Sequence, residues 1–165
     1  MPFTPLHLSL PLFIYAITNT TKQHNKINKI TWLSITIGSI APDIQAFLSL
    51  FTPKIKMHGF SHTIIGAVTY SLVYYAILLI FLKKRPINNL NPEKQALLFL
   101  LSIIFFHLLP DAIIYSDMHV FWPISNKSYA SPQNYYYVSK VLIFIALFSL
   151  IVIILTKSIE KINVK

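Results

Sequence analysis

Ala96-Leu-Leu-Phe-Leu-Leu-Ser-Ile-Ile-Phe-Phe-His107-Leu-Leu-Pro110-Asp111-Ala-Ile-Ile-Tyr115 decides the fold. The run exceeds the roughly 18 apolar residues that a helix needs to cross a bilayer. It nevertheless carries an imidazole and a carboxylate. An ionised group at the centre of such a helix costs about 3 kcal/mol on insertion scales, so both side chains need partners. On a helix, positions four apart share a face, and His107 with Asp111 can grip one ion. Pro110 is tolerated in a membrane helix provided that a neighbouring group satisfies the carbonyl it frees.

Two more stretches have spanning character, Thr63 to Leu82 and Val138 to Thr156. Ile30 to Phe51 is a weaker candidate because it contains Gly38, Pro42 and Asp43, and Pro2 to Thr18, interrupted by Pro5, His7 and Pro11, either spans or dips into the bilayer. The sequence therefore predicts an all-α, polytopic membrane bundle of about four to five helices, forming a single membrane-embedded domain over residues 1–165. Composition agrees: 55% hydrophobic and 12% charged residues lie outside the soluble norm of about 45–50% and about 25%. Met1-Pro-Phe-Thr-Pro has no basic leader and no small-residue cleavage site follows, so no signal peptide is expected. With no cysteine, a disulfide framework and a thiolate zinc site are excluded, and any metal must take nitrogen and oxygen ligands.

The net charge of +9 is scattered instead of forming one basic block, so nucleic acid is not the expected partner. The cations carry topology. Alternating the spans puts Lys22, Lys26, Lys29, Lys83, Lys84, Arg85, Lys94, Lys157, Lys161 and Lys165 on one side, against Lys54, Lys56, Lys127 and Lys140 on the other. The positive-inside rule makes the first side cytoplasmic, with the C-terminus inside a multi-pass plasma-membrane protein. His7, Asp43, His58, His62, His107, Asp111, Asp117 and His119 then all fall toward the extracytoplasmic face, and only His24 lies among the cytoplasmic lysines. The loop with Phe121-Trp-Pro-Ile124 and Tyr135-Tyr-Tyr137 is an aromatic belt at headgroup level or a cover over the site. Asn88, Asn89 and Asn91 between Pro86 and Pro92 mark a polar turn.

These polar residues suit a metal centre. A catalytic zinc takes three protein ligands and keeps a position for water. His7, Asp43, His58, His62, His107 and Asp111 exceed one such site and could furnish two ions about 3.5–4 Å apart. Asp43 is the candidate bridge between them and Asp117 the candidate general base or further ligand. Gly59 argues against regular helix through His58–His62, and Ser61 could cap a helix starting near His62. A serine–histidine–aspartate arrangement built on Ser61 or Ser116 is a lesser alternative. Glycine-rich phosphate loops, the Gly-x-Ser-x-Gly elbow and the His-Glu-x-x-His helix are absent.

The opening through Leu6-His7, Gly38-Ser-Ile-Ala-Pro-Asp43, His58-Gly-Phe-Ser-His62-Thr63, and His107-Leu-Leu-Pro-Asp111 leading to Phe121-Trp-Pro123 resemble the YdjM-like family of membrane proteins, classed as metal-dependent hydrolases. The resemblance covers roughly residues 1–125. That family is similar in turn to the zinc-dependent phospholipase C and single-strand nuclease superfamily. The resemblance implies metal ligation by His7, Asp43, His58, His62, His107 and Asp111, with about one to three zinc ions, or manganese in their place. Met57-His58 stands where bacterial members often carry His-Arg.

The expected function is a membrane-bound metal-dependent phosphoesterase acting on a lipid headgroup or lipid-linked phosphate at the extracytoplasmic face. A metal or proton transporter is the first rival, although the inner halves of the spans read as almost wholly apolar. A non-catalytic structural or partner-binding membrane protein is the second.

Overall fold

The computed structural model describes residues 4–20, 28–52, 54–87 and 90–163. His24, Lys22, Lys26, Lys165, Asn88 and Asn89 lie outside the described residues. The chain is all-helical among them: α1 Thr4–His7, α2 Ser9–Thr20, α3 Lys29–Ile40, α4 Asp43–Ser49, α5 Ile64–Lys84, α6 Pro92–Ser102, α7 Leu109–Ile114 and α8 Pro132–Asn163. One 3-10 turn, Phe60–His62, precedes α5, and one wide π turn, Ile103–Leu108, joins α6 to α7.

The helix starts follow local chemistry. Asn28 accepts from the Ile30 and Thr31 amides at 2.7 and 3.1 Å to open α3. Asn91 accepts from the Lys94 amide at 2.7 Å and is followed by Pro92, opening α6. Thr63 accepts from the Gly66 amide at 2.9 Å and opens α5. The cap of this third helix is thus Thr63, not the expected Ser61, and α5 begins at Ile64. Lys83 and Lys84 in its last turn complement the helix dipole.

Among the described residues, three helices are long and apolar enough to cross a membrane: Ile64–Lys84, Pro92–Ile114 and Gln133–Thr156. The 21 residues of α5 reach about 31 Å at about 1.5 Å per residue, close to the hydrocarbon thickness. Their outer faces present Leu72, Ile80, Phe144, Leu147 and Ile154, the reverse of a soluble surface. The weaker fourth candidate is not one helix: Pro42 separates α3 from α4.

Small residues bring α3 against α6. A Cβ at Gly38 would lie 2.6 Å from the Phe99 carbonyl and 3.0 Å from Ser102 Cβ. Ser102 donates to the Ile35 carbonyl at 2.5 Å across the same contact. Small side chains and interhelical hydrogen bonds of this kind hold membrane helices together where the hydrophobic effect gives no drive. Further along, away from the histidines, the buried Ser34 meets Tyr74 Oη at 2.7 Å and Gln95 Oε1 at 3.1 Å, while Gln95 Nε2 donates to Thr31 at 3.1 Å. This half of the bundle is therefore not wholly apolar as the sequence predicts; Gln95 lies just before the expected span start at Ala96. The apolar core is Ala41, Ala67, Phe99, Ile103, Leu108, Met118 and Val120, and Tyr74 of the polar network stacks on its Phe99 at 4.3 Å between centroids.

Candidate metal centre

Helix breaks build the site. Pro110 has no N–H, so the Phe106 carbonyl one α-helical turn back lacks its usual donor. The Nδ1–H of His7 donates to that carbonyl at 3.0 Å, which supplies the partner that Pro110 requires. At the Pro42 break, the Ser39 carbonyl near the end of α3 accepts from His107 Nδ1 at 2.8 Å. The Pro42 carbonyl accepts from Ser61 Oγ at 3.0 Å, and Ser61 Oγ lies 2.9 Å from His62 Nδ1. With its only proton on Pro42, the Ser61 oxygen must accept from His62.

All three rings therefore carry their proton on Nδ1 and turn a lone pair on Nε2 inward. This outer hydrogen bond is the device that fixes tautomer and orientation in metal-ligating histidines. His7 Nε2 is 3.3 Å from Asp111 Oδ1, and His107 Nε2 is 3.4 Å from Asp111 Oδ2. Asp43 Oδ1 lies 3.8 Å from His107 Nε2 and 3.9 Å from His62 Nε2. All five side chains are buried, yet the three Nε2 atoms and Asp111 Oδ1 have no hydrogen-bond partner. Orphaned buried polar atoms are expensive, above all beside lipid. Four donors at about 2.0–2.2 Å around a tetrahedral ion would stand about 3.3–3.6 Å apart; the Asp111 separations of 3.3 and 3.4 Å fit a cation between those donors, and the Asp43 separations of 3.8 and 3.9 Å are wider.

Burial, followed by the neighbouring His107 and His58 rings, pushes the His62 pKa far below its ordinary value. The ring is thus neutral, the form that ligates metal.

The donors fall into two groups whose ligand atoms lie within 4.8 Å of one another: His7, Asp43, His107 and Asp111, and His58, His62 and Asp111. All six residues expected to ligate metal are brought together. Asp111 is the member shared by both groups, whereas sequence reasoning gives the bridge to Asp43. Asp117 lies in neither group. It holds His58 Nδ1 at 2.9 Å and is 64% exposed, leaving His58 Nε2 as that ring's lone-pair nitrogen. The Tyr115 ring packs on His58 at 4.4 Å between centroids. His119 stands outside both groups. Ser61 touches His62, but it is fully buried and gives its proton to a carbonyl, which disfavours it as a nucleophile. Ser116 is exposed.

Sequence reasoning misses Gln45. Its Nε2 donates to the Lys56 carbonyl at 2.8 Å and its Oε1 accepts from the Ser61 amide at 2.9 Å, so one side chain holds both ends of the histidine turn. Gly59 passes so close that any Cβ there would fall on the Gln45 amide.

A cavity of about 550 Å³ opens beside the cluster, with His58 and Asp117 in its wall. Fold and site together define a helical membrane protein whose buried imidazoles and carboxylates could hold a metal ion. The chain belongs to the YdjM inner membrane protein family, whose model matches residues 1–164. No curated protein and no solved structure matches the chain.

Proposed function

We propose that this protein is a metal-dependent phosphoesterase of the membrane, acting on a lipid headgroup or lipid-linked phosphate at the extracytoplasmic face, with its C-terminus in the cytoplasm. One observation carries the reading: the Nε2 lone pairs of His7, His62 and His107 converge with the Asp43 and Asp111 carboxylates in a buried cluster without hydrogen-bond partners for those nitrogens.

His7, Asp43, His107 and Asp111 would hold one zinc or manganese ion, and His58, His62 and Asp111 a second. A divalent cation supplies Lewis acidity toward a phosphoryl oxygen when bound there. The second group offers only three protein donors, the number that catalytic zinc sites use while keeping a position open. His58 belongs to that group and also lines the cavity, so substrate would approach from this side. Asp117 orients His58 and, at the cavity wall, serves as proton acceptor for the attacking water. The lipid preference follows from the cavity's place at the ends of two spanning helices.

The test is elemental analysis of detergent-purified protein beside a His107→Ala, Asp111→Ala double variant, followed by incubation of the metal-loaded protein with a panel of phospholipids. Metal bound by the parent and lost in the variant, with release of a phosphorylated or dephosphorylated headgroup, is the expected result. Protein that takes up no added zinc or manganese refutes the metal centre, and intact lipid across the panel refutes the substrate class.

The Thr31–Ser34–Tyr74–Gln95 network favours a second reading, an ion pathway through the bundle. Cysteines engineered beside Gln95 and beside His58 that label only from their own sides of the membrane would refute it.

A further inference from the structure

The cavity beside the cluster has a chemistry of its own. It forms where the turn before α5 meets the loop after α7, joined by the Ile64 amide donating to the Val120 carbonyl at 2.9 Å. One spanning helix begins there and another ends, which sets the cavity at headgroup level. Its ionisable lining is Lys56, His58, Asp117 and His119. The single carboxylate is already engaged by His58. Lys56 is exposed and forms no ion pair among the described residues, while His119 Nδ1 is buried with no hydrogen-bond partner. Lys56 and His119 thus line the recess beside that one carboxylate. Met57, Phe60 and Trp122 are its large apolar lining, and Phe60 and Trp122 are also exposed to the outside, as expected of aromatic groups that meet lipid at the interface.

We propose that this cavity seats the headgroup of an anionic phospholipid bearing a terminal phosphate, with Lys56 and His119 as the groups that recognise the anion and Phe60 and Trp122 receiving the start of the acyl chains. The assignment rests on the lipid-phosphoester reading above and adds the residues that select the charge. The volume of about 550 Å³ lies in the range that binds small organic ligands, roughly 300–1,000 Å³, far more than a bare phosphate needs. A zwitterionic headgroup would bring its own cation against Lys56.

Isothermal titration of the detergent-purified full-length protein with dihexanoyl phosphatidic acid, dihexanoyl phosphatidylcholine and inorganic phosphate tests this. Saturable binding of phosphatidic acid is expected, with the other two at least about tenfold weaker. A Lys56→Ala, His119→Ala variant should lose at least about tenfold in affinity for phosphatidic acid while keeping its metal content and melting temperature, and Lys56→Arg should retain binding. Equal binding of phosphatidylcholine, equal binding of inorganic phosphate, or unchanged affinity in the double variant each overturns the proposal. Phosphatidic acid that binds through Lys56 and His119 without being hydrolysed upholds the seat while the hydrolase reading fails.

Discussion

Ser61→Ala tests the origin of the inward-facing imidazoles most directly. Ser61 is fully buried and its oxygen does two jobs, accepting from His62 Nδ1 at 2.9 Å and donating to the Pro42 carbonyl at 3.0 Å. Alanine leaves the His62 N–H without an acceptor, while the Pro42 carbonyl keeps the Gln45 amide at 3.2 Å. One buried unsatisfied donor costs about 1–3 kcal/mol of stability. The larger expectation concerns the metal: loss of an outer partner of a ligating histidine weakens affinity about 10–100-fold, or about 1.4–2.7 kcal/mol. Zinc affinity is read by competition with a chromogenic chelator in detergent. Ser71→Ala is the matched control, since Ser71 is also buried and donates to the Ala96 carbonyl at 2.8 Å but touches no member of the cluster. It should lower the melting temperature and leave zinc affinity unchanged. Wild-type affinity in Ser61→Ala, or an equal loss in Ser71→Ala, would refute the claim that Ser61 orients His62.

Pro110→Ala restores an N–H that competes with His7 for the Phe106 carbonyl; the same competition assay should show zinc affinity reduced about tenfold with helix content by circular dichroism unchanged or slightly higher. Gly38→Leu drives a side chain into the Phe99 carbonyl and Ser102, and thermal unfolding should report a loss of about 1–3 kcal/mol, with Gly38→Ala intermediate; a fully stable leucine variant would mean that α3 and α6 do not meet at this point.

Much of the architecture is legible in the chain because lipid imposes a simple rule on composition. The spans around Ile64–Lys84, Pro92–Ile114 and Gln133–Thr156 follow from apolar length alone, and the cost of ionisable groups among them singles out His107 and Asp111. The convergence of His7, Asp43, His58 and His62 on that pair follows from their positions near span ends. What sequence does not reveal depends on where helices break and how they rotate. The break at Pro42 is visible, but not which carbonyl His107 would take, because a main-chain acceptor has no residue type. Asp111, rather than Asp43, belongs to both ligand groups because the π turn and Pro110 set its rotation, which the i to i+4 rule does not resolve. Gln45 is overlooked because a lone glutamine in an interfacial segment has no spacing signature; the tight Gly59 was the only signal that something passes close. Gln95 falls outside the expected span by a single residue, and no spacing rule joins it to Thr31, Ser34 and Tyr74, which lie within expected spans.

The backbone acceptors have a consequence for how this site tolerates sequence drift. His7 and His107 are each aimed by a peptide carbonyl, those of Phe106 and Ser39, and no exchange of side chain can delete either atom. Phe106 and Ser39 themselves are therefore free to vary within the limits of packing, while Pro110, which leaves the Phe106 carbonyl without its donor, and Pro42, which follows the end of α3 where the Ser39 carbonyl is left open, are not. A collection of random variants retaining metal should accordingly be rich in changes at the two acceptor positions and poor in changes at the two prolines. The memory of how to point an imidazole is kept in places where the helix is interrupted, one turn away from the group that it serves.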